Sequence, residues 1–88
     1  MATRTVAPLT IRVRLFARYA ELLGRDDLTL PAEGLNTAGD VLARIRSLPG
    51  GWEIGEYTLM AINLRQASLD APVAPGDEVA LLPPLAGG

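Results

Sequence analysis

From Thr10 to Phe16 the chain alternates: Ile11, Val13 and Leu15 fall on one side of an extended backbone, and Arg12, Arg14 and Phe16 on the other. That pattern predicts a half-buried strand. Ala17 to Leu23 follows at once, with Tyr19, Leu22 and Leu23 at helical spacing and Gly24 placed to stop the helix. Leu28 to Leu30 reads as a short strand ended by Pro31. Beyond it, Ala38, Val41, Leu42, Ile45 and Leu48 form a continuous apolar stripe. Asn36 or Thr37 can cap this second helix, and Asp40 stands three residues after Thr37, the spacing of a capping box. Arg44 and Arg46 suit its C-terminal dipole, and Pro49-Gly50-Gly51 is expected to end it.

Thr58 to Ile62 is an apolar strand followed by a turn-like Asn63, and Leu64 to Leu69 holds a further brief strand. Pro75-Gly76-Asp77 marks a tight turn before the last strand, Glu78 to Leu82. Trp52 is expected to cap one end of the core, with exposure at a secondary contact as the other option. Met1 to Leu9 has no period and contains Pro8, so residues 1–9 read as a flexible leader. Residues 10–82 form the folded body and 83–88 a C-terminal tail. The order of elements predicts an α+β fold, a mixed sheet with one long helix packed across one face, which is the β-grasp plan.

Strand parity extends this. In the last strand Val79 and Leu81 are the core set, leaving Glu78, Ala80 and Leu82 on the far face. If first and last strands are neighbours, Phe16 and Leu82 share the side of the sheet that the helix does not cover. Two large apolar residues there read as a docking patch. The other reading is that Phe16 turns inward, or that the two are scattered surface residues.

Composition removes most chemistry from the side chains. The 88 residues include no His and no Cys, and all 8 basic residues are Arg. There is therefore no thiolate nucleophile, no disulfide and no imidazole base or metal ligand. There is also no lysine amine to attack an activated C-terminus. A formal charge of −2 with scattered arginines argues against nucleic acid as the main partner. No apolar run is long enough to span a bilayer, so the expected location is cytoplasmic, away from membranes.

What remains is the end of the chain, Leu81-Leu82-Pro83-Pro84-Leu85-Ala86-Gly87-Gly88. A terminal diglycine is either a frayed end or a slim arm able to enter a tunnel only as wide as a backbone. In the second case the reactive group is the terminal carboxylate itself.

Several elements together resemble a known family. Arg14-Leu15-Phe16-Ala17-Arg18, Glu21-Leu22-Leu23-Gly24, Ala61-Ile62-Asn63, Leu69-Asp70-Ala71-Pro72 and the run from Pro75 through Pro84 to Gly87-Gly88 are similar to the small subunit of molybdopterin synthase. The likeness extends over nearly everything from Ile11 to Gly88. It implies a ubiquitin-like β-grasp sulfur carrier with a flexible C-terminal tail. In that family the terminal glycine, here Gly88 with Gly87 beside it, is adenylated by an ATP-using, ubiquitin-activating-like adenylyltransferase. A sulfur donor then converts it to a thiocarboxylate.

The resemblance further implies that the tail enters the large synthase subunit and gives sulfur to cyclic pyranopterin monophosphate, within a heterotetramer. The large subunit supplies the catalytic side chains, and the carrier binds no cofactor of its own. The surface matching Phe16 and Leu82 packs on that subunit in the family, with Pro83, Pro84 and Leu85 leading into its pocket. Gln66 departs from the family, standing where relatives can carry an apolar contact. The loop at Pro49-Gly50-Gly51-Trp52 is also shorter than in many members. A carrier for thiamine synthesis or tRNA thiolation, a ubiquitin-like protein modifier and a β-grasp binding module with an inert tail are the alternatives.

Overall fold

Alternation in the strands and the apolar stripe of the second helix meet across a single layer boundary. The computed structural model describes residues 9–56 and 58–84. The elements are β1 (Thr10–Leu15), α1 (Arg18–Leu23), β2 (Asp27–Pro31), α2 (Ala38–Arg46), a single 3-10 turn at Gly51–Glu53, β3 (Leu59–Ile62), β4 (Arg65–Ala67) and β5 (Glu78–Leu82). The five strands form one sheet in the order β2-β1-β5-β3-β4. The central pair β1–β5 is parallel, with Val13 opposite Val79 and Leu15 opposite Leu81, and the other pairs are antiparallel. The inward sets Ile11, Val13 and Leu15 of β1 and Val79 and Leu81 of β5 are buried against Val41, Leu42 and Ile45 of α2. No polar or charged residue is buried among the described residues. This is the β-grasp arrangement, and hydrophobic transfer from both apolar faces drives it.

Local chemistry explains the helix ends. Thr37 Oγ1 accepts from the Asp40 N–H at 3.2 Å, while the Asp40 carboxylate accepts from the Thr37 N–H at 3.0 Å and the Asn36 N–H at 2.8 Å. The capping box is thus made by Asp rather than the longer Glu or Gln. At the other end α2 stops at Arg46, with Ser47 as its cap, before the expected Pro49 terminator. Leu48 precedes a proline, a position at which helical backbone is disfavoured, and the helix yields early. Gly24 closes α1 in the left-handed conformation, as its placement predicts.

Three differences from the sequence expectations have physical causes. β2 extends over Pro31 because it is an edge strand, where a missing N–H costs no ladder bond. β1 ends at Leu15 rather than Phe16, since Ala17 takes φ 52° and ψ −127° to turn the chain sharply from sheet to helix. Trp52 is not a core cap: it is 71% exposed. Gly51, which opens the 3-10 turn, and Ile54, which caps its end, are both buried, three residues apart, so Trp52 and Glu53 between them face out. Gly51 approaches α2 so closely that a Cβ there would lie 2.0 Å from the Ile45 carbonyl oxygen.

Candidate docking face

The side of the sheet opposite α2 is organised in rows set by strand register. Because Leu15 pairs with Leu81, Phe16 comes level with Leu82, and its N–H donates to the Leu81 carbonyl at 3.3 Å. Leu82 in turn pairs with Leu59 of β3. Phe16 and Leu59 are 40% and 39% exposed, and Leu82 between them is half-buried. These three side chains form one apolar row at the point where the chain leaves the sheet. The next row is flatter: Arg14 lies opposite Ala80, Ala80 opposite Ala61, and Ala61 opposite Gln66. The third row is charged, with Arg12 opposite Glu78.

The charges are arranged around the apolar row rather than within it. The Arg14 guanidinium stands 5.7 Å from the centre of the Phe16 ring, within reach of a cation–π attraction that favours one ring orientation. Arg12 donates to Asp27 at 2.9 Å and lies 3.9 Å from Glu78. The hydrogen bond from Arg12 holds the Asp27 carboxyl below the usual carboxylate range, and the same bond raises the Arg12 pKa. Both groups stay ionised at neutral pH. An exposed pair of this kind adds little stability, but it fixes the pattern of charge that a partner meets.

Of the residues singled out in the sequence, the fold brings Phe16, Leu82 and Pro83 to one corner, with Pro84 exposed beyond them. Leu85, Gly87 and Gly88 lie outside the described residues, as do residues 1–8 of the leader. Sequence reasoning missed Leu59. Its outward orientation follows only once Met60 is known to pair with Leu81 on the buried side. It also missed the corner at Ala17, whose glycine-like backbone turns α1 away and leaves Phe16 at the rim. Among the described residues no cluster of three or more acidic, His or Cys side chains could hold a metal ion, and no helix is long and apolar enough to cross a membrane. The face offers contact area and charge pattern.

The chain is 35% identical over 79 residues to the molybdopterin synthase sulfur carrier subunit of Arabidopsis thaliana, covering 89% of this chain and 82% of that protein. It is 32% identical over 81 residues to the protein of the same name from Escherichia coli (strain K12), covering 89% of this chain and 99% of that one. Among solved structures, small archaeal modifier protein 1 of H. volcanii superposes with a TM-score of 0.74 at 27% identity, over 86% of this chain and 98% of that one. A complex of subunits 1 and 2 of molybdopterin-converting factor from Helicobacter pylori 26695 contains a chain of the same fold, with a TM-score of 0.64 at 24% identity, over 90% of this chain and 99% of that one. Residues 13–88 match the model of the ThiS family, so a β-grasp body with an apolar corner beside its departing tail belongs here to a member of that family.

Proposed function

We propose that this chain is the sulfur carrier of molybdopterin synthesis, and that its working group is the C-terminal carboxylate of Gly88. The observation that carries the reading is the apolar row Phe16–Leu82–Leu59, which lies where the chain leaves the sheet in a member of a carrier family. A carboxylate is a poor acyl donor until one oxygen becomes part of a good leaving group. An ATP-dependent adenylyltransferase supplies this by forming the acyl-adenylate and releasing pyrophosphate. A sulfur donor then displaces AMP, leaving a thiocarboxylate whose sulfur is nucleophilic. None of these steps needs an acid, base or thiol from the carrier, which suits a chain without His or Cys. Dependence on ATP fits a carrier that works in the cytoplasm.

In this reading the large synthase subunit seats on the outer face around Phe16 and Leu82, in a heterotetramer. Gly87, Leu85 and the two prolines carry the sulfur to cyclic pyranopterin monophosphate. Proximity delivered by a narrow arm supplies the carrier's share of the rate. The likeness to an archaeal modifier protein supports a second reading, transfer of the activated carboxyl to a protein amine.

Intact-mass measurement separates the two. Incubation with an activating enzyme, ATP and a sulfur donor should add about 16 Da at Gly88, one oxygen replaced by sulfur. Formation of amide-linked conjugates without that gain favours the modifier reading. Neither product, with an enzyme active on another carrier, overturns both.

A further inference from the structure

The last rung of the sheet before the chain departs is Leu59 opposite Leu82. Pro83 follows and has no N–H, so β5 cannot extend its own side of the ladder by one more donor. A terminal rung of this kind is where strands fray. Here a side chain reinforces it: Thr58 Oγ1 lies 3.1 Å from the Leu82 carbonyl oxygen. The same Thr58 oxygen is 2.7 Å from the Tyr19 hydroxyl. A hydroxyl carries one proton, and a carbonyl can only accept. Thr58 therefore donates to Leu82, and Tyr19 donates to Thr58.

The anchor of this relay is rigid. Tyr19 is 5% exposed, its ring packed into the core, and its backbone N–H donates to the Phe16 carbonyl at 3.0 Å. The relay thus ties the end of β5 to the same corner that carries Phe16. Downstream, Pro83 and Pro84 each restrict φ, so an angular error at Leu82 is passed outward instead of being absorbed. With about 3.1 Å per extended proline, a swing of about 20° at Leu82 moves the far end of Pro84 by about 2 Å.

We propose that Tyr19 and Thr58 are positioning residues: their hydroxyl relay clamps the Leu82 carbonyl and so sets the heading at which the chain leaves the sheet. The functional consequence rests on the carrier reading above, because a heading matters only if the tail must enter a partner's site. Without the relay the tail samples more directions, and the fraction of carrier molecules presenting it correctly falls. The apparent affinity for the activating enzyme falls by that fraction, while the chemical step is untouched.

Three variants of the full chain test this. Thr58→Val keeps the branched shape and removes the proton donor. Thr58→Ser keeps the hydroxyl and removes the methyl group. Tyr19→Phe removes only the upstream donor. Residual dipolar couplings of the Cα–Hα bonds of Pro83 and Pro84 report the heading in the free protein. Steady-state thiocarboxylate formation reports KM and kcat separately. Thr58→Val should shrink the couplings and raise KM about fivefold, the worth of one neutral hydrogen bond, with kcat within about twofold. Thr58→Ser should restore both, and Tyr19→Phe should fall between.

Couplings and KM at wild-type values in Thr58→Val overturn the proposal. A lowered melting temperature with unchanged couplings also overturns it, since the hydroxyls would then only stabilise the fold. Thr58→Ser as impaired as Thr58→Val assigns the effect to methyl packing and likewise refutes the relay. If the wild-type chain forms no thiocarboxylate, the carrier reading fails, and the couplings still decide whether the relay sets the heading.

Discussion

Replacing Leu64 by glycine should stabilise this protein, although it deletes an entire hydrophobic side chain. Leu64 is the second residue of the two-residue connection between β3 and β4, closed by the Ile62–Arg65 pair. Asn63 and Leu64 have φ of 51° and 72°, the doubly left-handed geometry of a type I′ turn. Such turns match the right-handed twist of a hairpin, and their preferred sequence is Asn-Gly. Asn63 suits its place: its side chain donates to Asp77 Oδ1 at 3.0 Å and accepts from the Glu78 N–H at 3.0 Å. Leucine does not suit the next one. A side chain in the left-handed region costs about 1–2 kcal/mol from contact between Cβ and the carbonyl oxygen.

Leu64 recovers almost none of that by burial, being 90% exposed. Glycine gives back about 0.5–1 kcal/mol through the larger entropy of its unfolded chain. The balance is a gain of about 0.5–1 kcal/mol, equivalent to a rise of roughly 3–6 °C in Tm for a domain of this size. Urea and thermal unfolding of wild type, Leu64→Gly and Leu64→Ala measure it. The alanine variant keeps Cβ and should stay within about 0.5 kcal/mol of wild type. A glycine variant equal to or less stable than wild type would refute the argument, as would an alanine variant that gained as much as glycine.

Gly51→Ala should destabilise by about 3 kcal/mol, because the new Cβ meets the Ile45 carbonyl, which helix backbone holds in place; a loss under about 1 kcal/mol in urea unfolding contradicts the close approach. The backbone N–H groups of Asn36 and Thr37 hold the Asp40 carboxyl below the usual carboxylate range. Folding therefore depresses this pKa, and the stability it adds is present above the unfolded value of about 4 and lost as pH falls through the lower folded one. Asp40→Asn should make the urea midpoint flatter than wild type between about pH 5 and pH 2, and parallel curves would exclude the role. In the proposed carrier role, Leu59→Asp on the outer face should weaken binding of the large synthase subunit by at least about tenfold in calorimetry, with an unchanged circular dichroism spectrum. Unchanged affinity removes Leu59 from the interface.

Helix α2 is legible in the sequence because its determinants lie within one stretch of chain: a Thr37–Asp40 box, a stripe at helical spacing and a proline shortly after. The outward position of Phe16 is legible from parity, given the assumption that β1 and β5 adjoin. Trp52 is not, since an aromatic next to two glycines says nothing about which way a single 3-10 turn faces. Leu59 is hidden for a related reason: Thr58 to Ile62 is apolar at most positions, so alternation cannot tell the two sides apart. Ala17 gives no signal because the turn it makes is one that glycine would have announced.

By itself, then, the sequence determined the local elements, the inward sets of β1, β5 and α2, and the absence of histidine, cysteine and lysine chemistry. These depend on periodicity, capping and side-chain inventory, which are properties of neighbouring residues. Tertiary structure alone decided that Phe16, Leu82 and Leu59 form one row, and that Tyr19 meets Thr58 while Thr58 meets the Leu82 carbonyl. Those juxtapositions join residues from distant parts of the chain. They arise from pairing register, which burial of the helix-facing side of the whole sheet enforces, because a slip of one residue would turn every apolar side chain to water.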